Sequence, residues 1–86
     1  AKVFDSSSGR ELEVYTTEPG VVFYSGNWLS EKVIGRNGVP YTKNAAFCLE
    51  TQHYPNSINT PNFPNTILRP DKTFTSTTIY KFLVRK

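Results

Sequence analysis

The segment Phe47-Cys48-Leu49-Glu50-Thr51-Gln52-His53-Tyr54-Pro55 sets a carboxylate, Glu50, at the end of a short apolar run and just ahead of a loop rich in Asn, Pro, Ser and Thr. A strand that ends this way can hand a general base to a polar ligand. Burying an ionisable side chain beside Phe47, Cys48 and Leu49 costs free energy unless a polar group meets it. A carboxylate desolvated in that way is suited to general acid-base work near neutral pH. The plainer reading keeps Glu50 as a half-exposed strand-end residue paired with a nearby Lys or Arg.

Few other groups compete for a chemical role. Cys48 is the single cysteine, so no internal disulfide forms, and no Cys/His cluster has metal-ligand spacing. Neither structural zinc nor another cofactor is expected, and a reducing compartment fits best. His53, the only histidine, falls three residues after Glu50, on the opposite face of an extended strand, and reads as a loop anchor hydrogen-bonded to backbone. The net charge of +3 comes from scattered Lys and Arg, without the basic run or stripe of a nucleic-acid footprint. No stretch is long and apolar enough to span a bilayer or to resemble a secretion signal, so neither a membrane nor nucleic acid is an expected partner, and a cytoplasmic location is expected.

The elements that must position Glu50 read as strands. Helical periodicity is absent, whereas β-branched and aromatic segments recur between Gly, Pro, Asn and Ser. Residues 2–5 form a strand, Ser6-Ser7-Ser8-Gly9 its turn, and residues 11–16 the returning strand, with Leu12 and Val14 on one face. Glu18-Pro19-Gly20 turns the chain into a third strand over residues 21–25. Residues 30–44 form a surface excursion, and residues 45–52 the strand bearing Glu50. Prolines 55, 61, 64 and 70 make residues 53–70 a long loop. Residues 73–84 form a closing strand anchored by Phe74, Ile79, Phe82 and Val84.

With 86 residues, 37% hydrophobic and 14% aromatic, the chain is at most one small domain, too thin for an all-β core of its own. About five or six strands cannot close a barrel or pair two full sheets with protected edges. Together with a start at Ala1 rather than Met, this implies that strands are missing.

Two ordered stretches carry a family resemblance. Ser7-Ser8-Gly9-Arg10, Leu12-Glu13-Val14, Thr16-Thr17-Glu18-Pro19-Gly20-Val21, Phe23-Tyr24, Gly26-Asn27 and Leu29 resemble the C-terminal third of galactose mutarotases. The run from Phe47 to Ser57, then Pro61-Asn62-Phe63-Pro64 and Thr66-Ile67-Leu68-Arg69-Pro70, looks like that family's signature around its catalytic glutamate. The resemblance implies an antiparallel β-sandwich, the mutarotase supersandwich, roughly two to four times this length, of which residues 1–86 supply the C-terminal part. It implies aldose 1-epimerisation of a hexose such as galactose or glucose, with no cofactor. Glu50 takes the place of the general base. The acid, a histidine, belongs to the N-terminal part of the same enzyme, which is the second expected partner; His53 is not that residue. The isolated chain is therefore expected to turn over little or no sugar.

One departure stands beside Phe23. The family usually carries a sugar-binding Gln where this chain has Val22, and a valine offers no hydrogen bond. Val22, Phe23 and Tyr24 are the expected substrate-binding residues. Trp28, Tyr54 and Phe63 are further candidates for a sugar platform, although core packing is the plainer assignment for most of these aromatics. Arg69 is expected to anchor its loop through backbone carbonyls or a carboxylate. The rival readings are a non-catalytic carbohydrate-binding or sugar-sensing relative, supported by Val22, then a β-layer that completes another chain, and last a nucleic-acid binder.

Overall fold

Asp5, Ser7, Ser8 and Gly9 make the first reversal of the chain. In the computed structural model, which describes residues 1–86, the Asp5 carboxylate accepts the Ser7 backbone N–H at 3.1 Å and the Ser7 and Ser8 hydroxyls at 2.8 and 2.5 Å. Gly9 adopts φ +75°, open to glycine at no steric cost, and its carbonyl accepts the Arg85 N–H at 2.7 Å. A side chain there would collide with the Arg85 carbonyl.

Five strands follow from the alternation: β1 (Lys2–Phe4), β2 (Arg10–Thr16), β3 (Gly20–Tyr24), β4 (Cys48–Gln52) and β5 (Thr78–Val84). They form an antiparallel three-stranded sheet ordered β1-β2-β5 and an antiparallel pair of β3 with β4. The fold is all-β, as expected. Single 3-10 turns at Arg36–Gly38 and Ser57–Asn59 are the only helical segments, and no helix is long and apolar enough to cross a membrane.

The pleat gives the larger sheet two unlike faces. On one, Lys2 Nζ stands 3.3 Å from Glu11 and 3.0 Å from Glu13, and the Tyr15 hydroxyl donates to Glu13 at 2.7 Å. Arg85 pairs with Glu11 while its guanidinium lies 4.5 Å from the Phe4 ring centre. The other face carries Val3, Leu12, Val14, Tyr80, Phe82 and Val84, with Leu12 and Val14 together as expected. The β3–β4 pair lies over this face. Thr51 meets Thr78 hydroxyl to hydroxyl at 2.9 Å, and Phe47 lines a hollow with Val3, Leu12 and Phe82. Val14 is 4% exposed and is the one fully covered apolar side chain.

Two strands are shorter than the sequence predicts. β5 begins at Thr78 rather than residue 73, because its partner β2 ends at Thr16, opposite Thr78; Thr77 is joined to Thr17, past the end of β2, and residues 73–76 have no strand left to pair with. β4 begins at Cys48 rather than residue 45, opposite Tyr24 at the end of β3, after which Gly26 at φ +75° turns the chain away. The expected anchors Phe74, Ile79, Phe82 and Val84 are all exposed, and Leu83 is the half-buried apolar residue of β5. The β3–β4 pair leaves Phe82 and Val84 largely uncovered, and Ile79 stands on the opposite face beside Tyr15.

The chain does not complete a core. Three of its 86 residues are buried. Its accessible surface is 7257 Å², where a folded monomer of this mass exposes about 5,200 Å². Its radius of gyration is 17.0 Å, against about 12 Å for a closed domain of this length.

The polar face makes one pH prediction. The Ser8 and then the Ser7 hydroxyl hold Asp5 at about 2, below its ordinary 3.8. The Tyr15 hydroxyl, then Lys2, holds Glu13 at about 2, below its ordinary 4.5. Depressed carboxylates contribute stability that is complete above their unfolded values and is lost as pH falls through their folded ones. Glu13, then Glu11, raises Lys2 above 10.5, and Glu13 raises Tyr15 above 10.0; these contributions are complete below those ordinary values and fade as pH climbs through the raised ones. In the full-length polypeptide, amide protection across the β1–β2 hairpin is expected to fall as pH drops from 4.5 toward 2, read by hydrogen exchange and by carboxyl-carbon NMR titration. Ordinary carboxyl midpoints would refute it.

Candidate active site on the free face of the β3–β4 sheet

Ladder register decides which side chains surround Glu50. Gly20 pairs with Gln52, Val21 with Thr51, Val22 with Glu50, Phe23 with Leu49 and Tyr24 with Cys48. Residues directly opposite in an antiparallel pair share a face, with Cβ atoms about 4.5–5.5 Å apart. Val22 is therefore the cross-strand neighbour of Glu50. Tyr24, Cys48 and Gln52 occupy the same face by alternation. The other face, with Thr51 and Phe47, turns toward the three-stranded sheet.

This arrangement separates the three expected sugar-binding residues. Val22 and Tyr24 flank Glu50, whereas Phe23 falls on the opposite face, its ring 6.1 Å from that of Phe47. Tyr24 is fixed at its tip, where its hydroxyl oxygen accepts the Trp28 backbone N–H at 2.9 Å. At the other end of the face, Tyr54 seats against Gly20: a Cβ on Gly20 would stand 2.9 Å from the Tyr54 ring. Phe63 continues the wall at 5.0 Å from Tyr54 with ring planes tilted by 55°. Cys48, Gln52 and the Gly20 seat were not singled out from sequence; β4 alternation marks the first two, while the seat depends on a loop returning over the sheet.

Glu50 is exposed, and its carboxylate makes neither a hydrogen bond nor an ion pair. Burial by the preceding apolar run does not occur in this chain, because Leu49 and Phe47 turn to the opposite face. The plainer reading also loses its partner, since no Lys or Arg meets the carboxylate. Five surface hollows have volumes between 190 and 360 Å³, and Glu50 lines none of them. The sheet face presents the carboxylate; these residues do not wall a pocket around it.

The remaining candidates sit elsewhere. The partner of His53 is a carboxylate rather than backbone: Nδ1 lies 3.5 Å from Glu18 Oε2, and Phe74 packs beside the ring. Trp28 is 89% exposed and covers neither core nor pocket of this chain. The Arg69 guanidinium contacts no carbonyl or carboxylate, contrary to expectation; only its backbone carbonyl is engaged, by the Lys72 N–H at 3.2 Å. His, Cys, Asp and Glu side chains nowhere gather in threes to hold a metal ion, and Cys48 is free and exposed.

Comparison with known proteins places this geometry in a family. The family described as Aldose 1-epimerase matches residues 1–81. Galactose mutarotase of Homo sapiens is 51% identical over 84 residues, which are 98% of this chain and 25% of that protein. Galactose mutarotase of Bos taurus is 49% identical over the same span, and Aldose 1-epimerase of Escherichia coli (strain K12) is 36% identical over 85 residues, 96% of this chain and 24% of that enzyme. The chain thus spans about a quarter of the length of the curated relatives it matches. A profile match from Ala1 to Lys81, on an all-β chain whose motif glutamate stands free on a sheet face, means that this chain belongs to the aldose 1-epimerase family.

Proposed function

We propose that residues 1–86 are the C-terminal segment of a single β-sandwich domain whose full-length protein interconverts the α and β anomers of a hexose such as galactose or glucose, with Glu50 as general base. The observation that carries the reading is the state of Glu50: a motif carboxylate with no protein partner, on a face also bearing Val22, Tyr24 and Gln52. An acceptor with free lone pairs beside hydrogen-bonding and aromatic groups suits a sugar hydroxyl.

The chemistry balances without a cofactor. The Glu50 carboxylate removes the proton from the anomeric hydroxyl as the C1–O5 bond breaks, and an acid delivers a proton to O5. The open aldehyde rotates about C1–C2. Closure on the other face then returns both protons in reverse and yields the other anomer. The acid and most of the pocket belong to the upstream part of the protein, the partner that this segment needs. His53 is engaged with Glu18 and takes no part in the proton transfer.

Val22 supports a second reading, a sugar binder with little catalysis, because a valine opposite Glu50 gives a hexose hydroxyl no partner. Saturation-transfer NMR of α/β exchange in glucose and galactose separates the two with the full-length polypeptide. Exchange faster than in buffer alone is expected; a protein that binds sugar without accelerating exchange is a sensor. Val22→Gln adds one hydrogen-bonding group within reach of a sugar over this face and is expected to lower KM by about two- to tenfold, the worth of one net hydrogen bond. An unchanged KM for both sugars removes Val22 from the substrate site.

A further inference from the structure

Two anchors tie β4 to the three-stranded sheet, and both lie within three residues of Glu50. β4 pairs with β3 alone, and a two-stranded ladder is marginal by itself in water, so these anchors decide where Glu50 stands. The first is a thread of hydroxyls. Thr51 is 2.9 Å from Thr78, which is 3.1 Å from Thr16, and the Glu18 backbone N–H donates to that Thr16 hydroxyl at 3.1 Å.

The second anchor starts from the Glu18 side chain. It is 9% exposed, and its carboxylate stands 3.5 Å from Nδ1 of His53. The His53 and Phe74 rings lie 6.4 Å apart with planes tilted by 42°. Thr17, Pro19, Pro64 and Thr75 complete a hollow of about 350 Å³ around them. Glu18 belongs to the link from β2 to β3, His53 follows the last residue of β4, and Phe74 leads into β5. Three segments therefore meet at the corner where one sheet passes into the other.

We propose that Glu18 and His53 form a positioning clasp that fixes the exit of β4 and so the placement of Glu50, an inference that rests on Glu50 as the base. A carboxylate on a side chain only 9% exposed gains from a partner, and His53 Nδ1 is the only cationic or ring-nitrogen group facing it. Holding the ring there holds the backbone after Gln52. His53 touches no reacting atom; it acts through the strand. A base misplaced by about 1 Å costs up to about a hundredfold in rate, while sugar binding by other side chains continues, so the clasp affects kcat more than KM.

Two amide variants of the full-length polypeptide test it. The amide nitrogen of Asn falls near the position of Nδ1, that of Gln near Nε2. His53→Gln is expected to lower kcat by about tenfold or more with KM within about twofold, and His53→Asn to stay within about threefold of the parent. Equal kcat values for the two variants overturn the clasp. A cycle of Glu18→Ala, His53→Ala and the double variant reads the same coupling independently: the double variant loses no more kcat than the worse single one, and additive losses overturn the pair. Glu50→Gln belongs in the same series. If it alone loses activity, the clasp fails and the base stands; if it retains full activity, both fail.

Discussion

Glu50→Gln in the full-length polypeptide is expected to slow anomer exchange by about 10²–10⁴-fold, the contribution of one positioned acid-base group, with little change in melting temperature. The separation of the two effects follows from geometry. The Glu50 carboxylate makes no ion pair or hydrogen bond with its own chain and is exposed on β4; its substitution removes no side-chain contact that holds the sheets. Surface changes of that kind fall within about 0.5 kcal/mol of neutral. Gln has the same length and can still accept a hydrogen bond, so sugar binding survives and the loss falls on kcat. Saturation transfer between the anomers reads the exchange directly. An undiminished rate in a folded Glu50→Gln protein would end the assignment of the base.

The family motif around Glu50 was legible because it depends on local order. The apolar run before Glu50 and the polar loop after it are contiguous in sequence, and their motif identified the family. Strand alternation likewise marked Leu12 with Val14 on a single face and located the turn at Ser6–Gly9, where Asp5 and the serines make their own hydrogen bonds. Pairing across the excursion between β3 and β4 was not legible. Whether Val22 or Phe23 stood opposite Glu50 depends on a one-residue choice of register, and slipping a strand by one residue exchanges its faces. The same limit explains the overlong ends of β4 and β5: each segment has strand-like composition beyond the point at which its partner stops. The carboxylate partner of His53 is hidden from sequence for a third reason, since Glu18 approaches through the junction of the two sheets and no spacing rule links them.

Separated from the rest of its protein, the chain of residues 1–86 is expected to show no cooperative thermal transition, to bind a hydrophobic dye such as ANS and to leave anomer exchange at the buffer rate. Its surface exceeds that of a closed monomer of its mass by about 2,000 Å², an excess the size of a whole standard protein interface. Tyr80, Phe82 and Val84 on β5, together with Phe23 on β3 and Phe47 just ahead of β4, are between 46% and 79% exposed. Phe47 and Phe82 border the inter-sheet hollow beside Val3 and Leu12, so the space where a core belongs is present but unfilled. Only Val14 is fully covered among the apolar side chains, too little to offset the entropy of ordering a chain this long, at about 1–2 kcal/mol per residue for the backbone alone. Supplying the upstream polypeptide in trans is expected to bring dye release, a cooperative melt and exchange activity together, because covering these apolar faces also fixes the β3–β4 pair that carries Glu50. A sharp two-state melt of the isolated chain near the 45–65 °C typical of independent domains would show that the segment folds without them, and the exposed faces would then need another occupant.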